Sequence, residues 1–313
     1  MRFPHGTTRR AILALALAVT GTTAFSQAAY PTKPIRLVVP FPPGGGTDLI
    51  ARTVAQKLTD SLKWTIVIDN RPGAGGNIGV DTVAKAAPDG YTLVIGQTSN
   101  LAVNPTLYPK LPYDPVKDFA PVVVLSSSPI VIAVATQSPF KTFADVVAAA
   151  KKKPKTITLG YSGNGTVAHL SSELAQKTAG IELQHIPYKG AAQAMTDVMS
   201  GQVDLYMSSV PTLLGHVRDQ KLRALAVTTA QRSSALPDIP AMSETLKDFE
   251  IDTWWGLVVP AGTPPETVRK LNAAFTEALR SPEVKTRFAS LMAEPAPSTP
   301  EQFETFMARE RSK

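Results

Sequence analysis

The stretch that constrains the chain most is Pro40-Phe41-Pro42-Pro43-Gly44-Gly45-Gly46-Thr47-Asp48. An apolar run, Ile35 to Val39, precedes it, and a helical pattern from Leu49 to Leu58 follows. Strand, glycine-rich turn and helix form the repeating unit of an α/β fold. Three glycines in a row allow φ > 0 and a close backbone approach to a ligand, as at Gly45, where a valine would fill that space. Thr47 and Asp48 are candidate N-caps, and amide N–H groups at a helix start favour an anion. The turn is not a P-loop, because Thr-Asp follows the glycines where a lysine is required. Nor is it a dinucleotide fingerprint, which fails at Leu49.

The first 28 residues have the three parts of a secretory signal. Arg2, Arg9 and Arg10 give the positive start, and Ala11 to Val19 give an apolar core too short to span a membrane. Small residues at Ser26-Gln27-Ala28 place the cut after Ala28. Sec export is the ordinary route, although Arg9-Arg10 also resembles a twin-arginine signal. The 313 residues are 43% apolar, enough for two domains at about 150 residues each. Net charge is +7 with three arginines in the leader, an excess too diffuse for nucleic acid. The run Lys151-Lys152-Lys153-Pro154-Lys155 reads as a solvated turn. With no cysteine there is no disulfide and no thiolate metal site. An exported, disulfide-free chain fits a bacterial periplasm.

Strands and helices alternate almost throughout. Thr65 to Asp69 reads as a second strand, ending in the glycine loop Asn70 to Asn77 with a helix over Val80–Lys85. Tyr91 to Gly96 is a third, ending in Gln97-Thr98-Ser99-Asn100. Parallel-sheet proteins bind ligands at the carboxyl ends of strands, so these loops share one rim. A long apolar segment, Val122 to Val134, leads to a second series whose loops lie at Tyr161–Thr166, Lys189–Ala192 and Ser208–Pro211. Trp254 to Pro260 closes that series, and two amphipathic helices, Pro265–Arg280 and Pro300–Arg309, end the chain. The expected architecture is two lobes, each with a mostly parallel sheet: residues 29–132 with 254–313, and residues 133–253. Ile130–Ala135 and Thr253–Val258 are the expected crossing segments of a hinge.

Tyr30 to Arg36, Val39 to Asp48 and Asn70 to Gly76 resemble the Bug receptors, the solute-binding components of tripartite tricarboxylate transporters. Pro88 to Leu93, Tyr188-Lys189-Gly190, Gly201 to Asp204 and Pro260 to Pro264 match in the same order. The resemblance covers essentially the whole chain after the leader. It implies a two-lobed type II periplasmic binding fold, no cofactor, no metal and no catalysis, and a carboxylate held between the lobes. Carried over residue by residue, the ligand loops contain Phe41, Gly45, Gly46, Thr47 and Asp48, then Ala74 and Gly75, then Thr98, Ser99 and Asn100. Across the cleft they contain Ser162, Asn164, Gly165, Thr166 and His169, with Tyr188 and Ser208. Many relatives carry an acid where this chain has Ser208, which argues against an amino-acid ligand. The implied partners are a small carboxylate, aliphatic or aromatic, and the membrane permease subunits, with the protein itself a monomer.

Other functions leave weaker traces. The esterase elbow G-x-S-x-G loses its last glycine at Asn164. His169, His185 and His216 follow no i, i+4 metal spacing and have no acid orienter obvious in sequence. His169 reads equally as a ligand contact or a polar surface residue, and Asp48 as a ligand contact or a helix cap. Trp254 and Trp255, in a β run, read as core and inter-lobe packing rather than a stacking platform. A hydrolase, or a ligand sensor for a membrane kinase, are the alternatives to a transport receptor.

Overall fold

The computed structural model describes residues 30–233 and 236–313, so the expected leader and its cleavage site lie outside the described residues. Within the body Lys33–Lys313, strand β1 (Ile35–Val39) pairs in parallel with β2 (Ile66–Asn70) and β3 (Thr92–Gln97). Helices α1 (Gly46–Leu62) and α2 (Asn77–Ala84) link them. The second helix starts earlier than Val80 because the glycine loop winds into a 3₁₀ turn, Ala74–Gly76, that feeds it directly. After the third strand the chain does not enter an open loop. It coils into a buried π turn, Ser99–Val103, and the short helix α3 (Asn104–Leu107).

Strand β4 (Phe119–Ala135) then runs through both lobes. Residues 119–129 pair antiparallel with β9 (Asp252–Pro260) in the first sheet. From Ile130 onward the same strand pairs antiparallel with β7 (Leu205–Ser209) and β8 (Leu222–Val227) of the second sheet. The change falls just after Pro129, which has no N–H to donate. Ile130 N–H donates instead to Thr228 Oγ1, and that hydroxyl also bonds the Ile251 carbonyl where the chain returns. One buried threonine thus ties both crossing strands together.

The second sheet adds β5 (Thr158–Tyr161) and β6 (Gln184–Pro187), parallel to each other, with β5 also parallel to β7. Its helices are α4 (Phe143–Lys152), α5 (Val167–Ala179), α6 (Ala191–Met199) and α7 (Val210–Arg218). They cover both faces, and β4 shows why its sequence is apolar without alternation. Ile130, Ile132 and Val134 enter one core, Val131 and Ala133 the other.

The chain returns through β9 to α8 (Pro265–Arg280), whose Val268, Leu271, Phe275 and Leu279 are buried at helical spacing. Helix α9 (Pro282–Ser290) and the short strand β10 (Glu294–Pro295) were not expected, although Ser281 before Pro282 is a legible cap and N1 pair. Helix α10 (Pro300–Ser312) completes the first lobe and lays Phe303 and Met307 onto its core. The two-lobed α/β fold is therefore as expected. Its sheets are mixed rather than mostly parallel, because β4 and β9 pass between the lobes in opposite directions and pair with each other.

Candidate functional site

Between the lobes lies a cavity of about 550 Å³, counting its open mouth. Phe41, Pro42, Gly45, Gly46 and Thr47 contribute from the first lobe, together with Gln97 and Trp255. Ser162, Thr166–Ala168, Gly190, Ala191, Ser208, Ser209 and Thr212 contribute from the second. Four of these residues are helix N-caps: Gly45 for α1, Thr166 for α5, Gly190 for α6 and Ser209 for α7. Four helices therefore point their positive ends at one space. Among the described residues, the lining contains no Lys, Arg, Asp or Glu.

In α1 the first intrahelical bond runs from Leu49 N–H to Gly45 O, so the amides of residues 46–48 precede the ladder. Gly46 N–H crosses the cleft to Thr212 Oγ1, 3.0 Å away, and Thr212 Oγ1 lies 3.0 Å from Ser209 Oγ. A Cβ on Gly46 would stand 2.6 Å from Ser209 Oγ. Thr47 is not the cap: its hydroxyl donates to Gln97 Oε1 and accepts from Trp255 Nε1–H. Trp255 is thus a buried wall of the cavity. Trp254 instead packs edge-on against Phe303 and Phe306 in the first-lobe core.

Asp48 lies behind the turn. It accepts hydrogen bonds from Gly44 N–H, Arg52 and Asn70. Burial alone would raise its carboxyl pKa, but these bonds outweigh burial and hold it below the ordinary range. Its work is to fix the glycine turn rather than to face the cavity.

The remaining expected residues fall into three groups. Thr98, Ser99 and Asn100 do not line the cavity; they position it. Ser99 Oγ and Asn100 Oδ1 hold the side chain and the backbone of Gln97, and Thr98 Oγ1 accepts from Trp254 N–H. Gly75 meets the opposite lobe at its rim, where a Cβ on it would stand 2.7 Å from Asn164 O, and Ala74 beside it is exposed. Asn164 O also accepts from the Tyr108 hydroxyl, which in turn crowds Gly165.

His169 and Tyr188 form the third group. The Tyr188 hydroxyl donates to Asp197, away from the cavity. His169 turns outward to Glu173 and His185, which spacing between histidines alone did not reveal. Ser162 Oγ is 2.9 Å from the buried Tyr206 hydroxyl. Burial raises that phenol above its usual pKa, and the hydrogen bonds to Ser162 and Ser208 only partly offset this.

Sequence reading missed Pro42, Gln97, Ile130, Val167, Ala168, Gly190, Ala191, Ser209, Thr212, Thr253 and Trp255. Gly190 and Ser209 fell inside the expected loops Lys189–Ala192 and Ser208–Pro211 and are the N-caps of α6 and α7. Thr212 is brought in from the opposite lobe, where its Oγ1 accepts from Gly46 N–H.

A cavity between two α/β lobes joined by two crossing strands is the plan of a periplasmic-type solute-binding receptor. Residues 50–313 match the family model described as the tripartite tricarboxylate transporter family receptor, and the chain belongs to that family. Protein BugT of Bordetella pertussis (strain Tohama I) is 38% identical over 303 residues, 96% of this chain and 93% of that protein. The structure of R. palustris Rpa4515 with adipate superposes with a TM-score of 0.87 at 35% identity, covering 90% of this chain and 95% of that one. MatC (Rpa3494) from Rhodopseudomonas palustris, with bound malate, gives 0.85 at 32% identity, covering 90% and 98%. The motif resemblance to Bug receptors is confirmed, and the chain's role is that of a solute-binding receptor.

Proposed function

We propose that the cavity captures a small carboxylate between the two lobes and that the protein delivers it to the membrane permease subunits of a tripartite tricarboxylate transporter. The observation that carries this reading is the convergence of four helix N-termini on a cavity lined by uncharged side chains. Amide N–H groups ahead of a helix ladder recognise a carboxylate without a cationic side chain. Each such charged hydrogen bond contributes about 1.5–3 kcal/mol.

Helix starts from both lobes suit a ligand with an anionic group at each end, and Phe41 and Trp255 offer apolar walls for the carbon skeleton between. The two similar receptors whose structures carry adipate and malate hold dicarboxylic acids, which supports the same class here. Ser208, with no acid beside it in the lining, favours a ligand without an ammonium group. An aromatic carboxylate is the second candidate within the class.

The expected division, residues 29–132 with 254–313 against 133–253, falls within two or three residues of the strand switch at Ile130 and the start of β9 at Asp252, and the chain acts as a periplasmic monomer after loss of its leader. The permease subunits, rather than a sensor kinase, are the proposed partner. Binding proceeds without turnover, which is supported by Ser162 being paired with a tyrosine hydroxyl rather than with an imidazole.

A thermal-shift screen over aliphatic and aromatic mono-, di- and tricarboxylates tests this reading. A ligand that binds only the folded state raises the melting temperature by an amount that grows with the logarithm of its concentration over its Kd. A saturable rise with a dicarboxylate or aromatic carboxylate is expected, with the acid recovered unchanged. No rise with any acid, or steady conversion of one, would overturn it.

A further inference from the structure

The Ser162–Thr166 loop of the second lobe has two sides. Ser162 and Thr166, at its ends, line the cavity, whereas Asn164 and Gly165 between them lie outside that lining. These two residues meet the first lobe at the end of α3. The Tyr108 hydroxyl donates to Asn164 O, 3.2 Å away. One end of the Asn104 amide faces Ser99 O at 3.3 Å and Gly165 O at 3.0 Å, so that end is the nitrogen and it donates. Two successive carbonyls of a second-lobe loop are thus held by two first-lobe side chains.

The fit is close. A Cβ on Gly165 would stand 2.7 Å from the Tyr108 hydroxyl, 3.0 Å from its ring and 3.2 Å from the Asn104 amide. Gly165 also holds φ +78°, a conformation that glycine adopts without strain. Gly75 closes the other side, with its bare Cα against Asn164 O. The Asn164–Gly165 peptide is therefore seated in a socket whose walls all belong to the first lobe.

The loop itself is braced. Tyr161 Oη donates to Asn164 Oδ1, Thr166 Oγ1 to Gly163 O, and Gly165 N–H to His169 Nδ1. Thr166 in addition caps α5. The segment that presents Ser162, Thr166 and a helix start to the cavity is thus the one whose outer side sits in the socket, and separating the lobes withdraws it. Burial raises the Tyr108 phenol above its ordinary pKa, so the hydroxyl keeps its proton and donates at neutral pH.

We propose that Tyr108 is a clasp: by gripping the Asn164–Gly165 peptide from outside the cavity lining, it holds the lobes closed and sets how long a captured acid stays. The proposal rests on the reading of the cavity as the carboxylate site. A contact made only in the closed state slows opening and leaves entry into the open state untouched, so its loss is read in the dissociation rate.

The chain has no cysteine, so Val116→Cys on the first lobe and Lys153→Cys on the second, both exposed, can carry dyes whose energy transfer reports lobe separation. In ligand-free protein Tyr108→Phe should shift that separation to larger values. In stopped-flow experiments with succinate and adipate as probes, it should release a bound acid about 2- to 12-fold faster, the range of one net hydrogen bond, with the association rate unchanged. Gly165→Ala should release it faster as well. The double variant should fall short of the product of the two, because without the hydroxyl the added methyl loses its nearest clash. Circular dichroism confirms folding, and if Gly165→Ala does not fold, Tyr108→Phe decides the matter. If neither acid binds wild-type protein, that failure belongs to the ligand assignment, and the label separation judges the clasp by itself. A wild-type separation in Tyr108→Phe, or a wild-type dissociation rate, would overturn the proposal.

Discussion

At the scale of single residues, a buried and a half-buried carboxylate of opposite character give the protein opposite pH dependences. Asp48 is held ionised by Arg52, Gly44 N–H and Asn70. Its folded-state pKa lies below the unfolded value, so its contribution is present at neutral pH and lost as pH falls through that depressed pKa. Asp48→Asn should cost about 1–3 kcal/mol at pH 7, read by urea denaturation, and the gap to wild type should narrow in acid. A constant gap would contradict the assignment. Asp252, at the start of β9, has its carboxyl pushed up to about 6 by burial, with the Glu250 charge adding to it. Its Oδ1 is buried without a partner among the described residues. The folded state therefore holds a proton that the unfolded state, at 3.8, has released. Stability from this group falls as pH rises from near 4 to near 6, and the ionised carboxylate is a net cost above that window. Thermal melts from about pH 4.5 to about pH 7.5 should show wild type losing stability relative to Asp252→Asn as pH rises. Parallel curves would refute it.

At the scale of elements, legibility followed the range of the forces involved. The β1 turn and α1, and the caps at Thr166 and Ser281, depend on residues a few positions apart and can be read directly from the chain. Within the Gly44–Gly46 run, only the division of labour was hidden. Gly44 takes φ +83°, and Gly45 is an ordinary extended N-cap with φ −81°. A Cβ on Gly45 would meet nothing nearer than Pro42 O at 3.9 Å. The close approach falls on Gly46 because its neighbours Ser209 and Thr212 come from the other lobe. Gln97 was overlooked because Ser99 and Asn100 turn inward to hold it, where an open loop would have faced the ligand. The His169–Glu173 pair, at i, i+4 on α5, was legible but passed over, and its link to His185 escaped because that histidine comes from β6. β9 shows the same dependence on distant packing: a Cβ on Gly256 would stand 2.2 Å from the Phe303 ring of α10. Gly256→Ala should destabilise by about 1–3 kcal/mol through overpacking, seen as a lower urea midpoint with an unchanged slope. A shift below about 0.5 kcal/mol would mean that α10 packs against β9 more loosely.

At the scale of the whole molecule, function arises from how two lobes meet. Each lobe alone offers helix N-termini facing solvent, where water competes for every amide. Closure brings four of them onto one small volume, and the β4 and β9 crossings, pinned by Thr228, guide the approach. Gly46 is the position where closure and ligand recognition coincide, since its amide spans the cleft and its missing side chain admits Ser209 and Thr212. Calorimetric titration of C4 and C6 dicarboxylates into wild type and Gly46→Val therefore tests the central claim most directly. Wild type should bind at least one acid with one site per chain, and the variant, shown folded by circular dichroism, should bind it at least about ten-fold more weakly, a loss of about 1.4 kcal/mol. A folded Gly46→Val protein with wild-type affinity would place the ligand elsewhere and contradict the account.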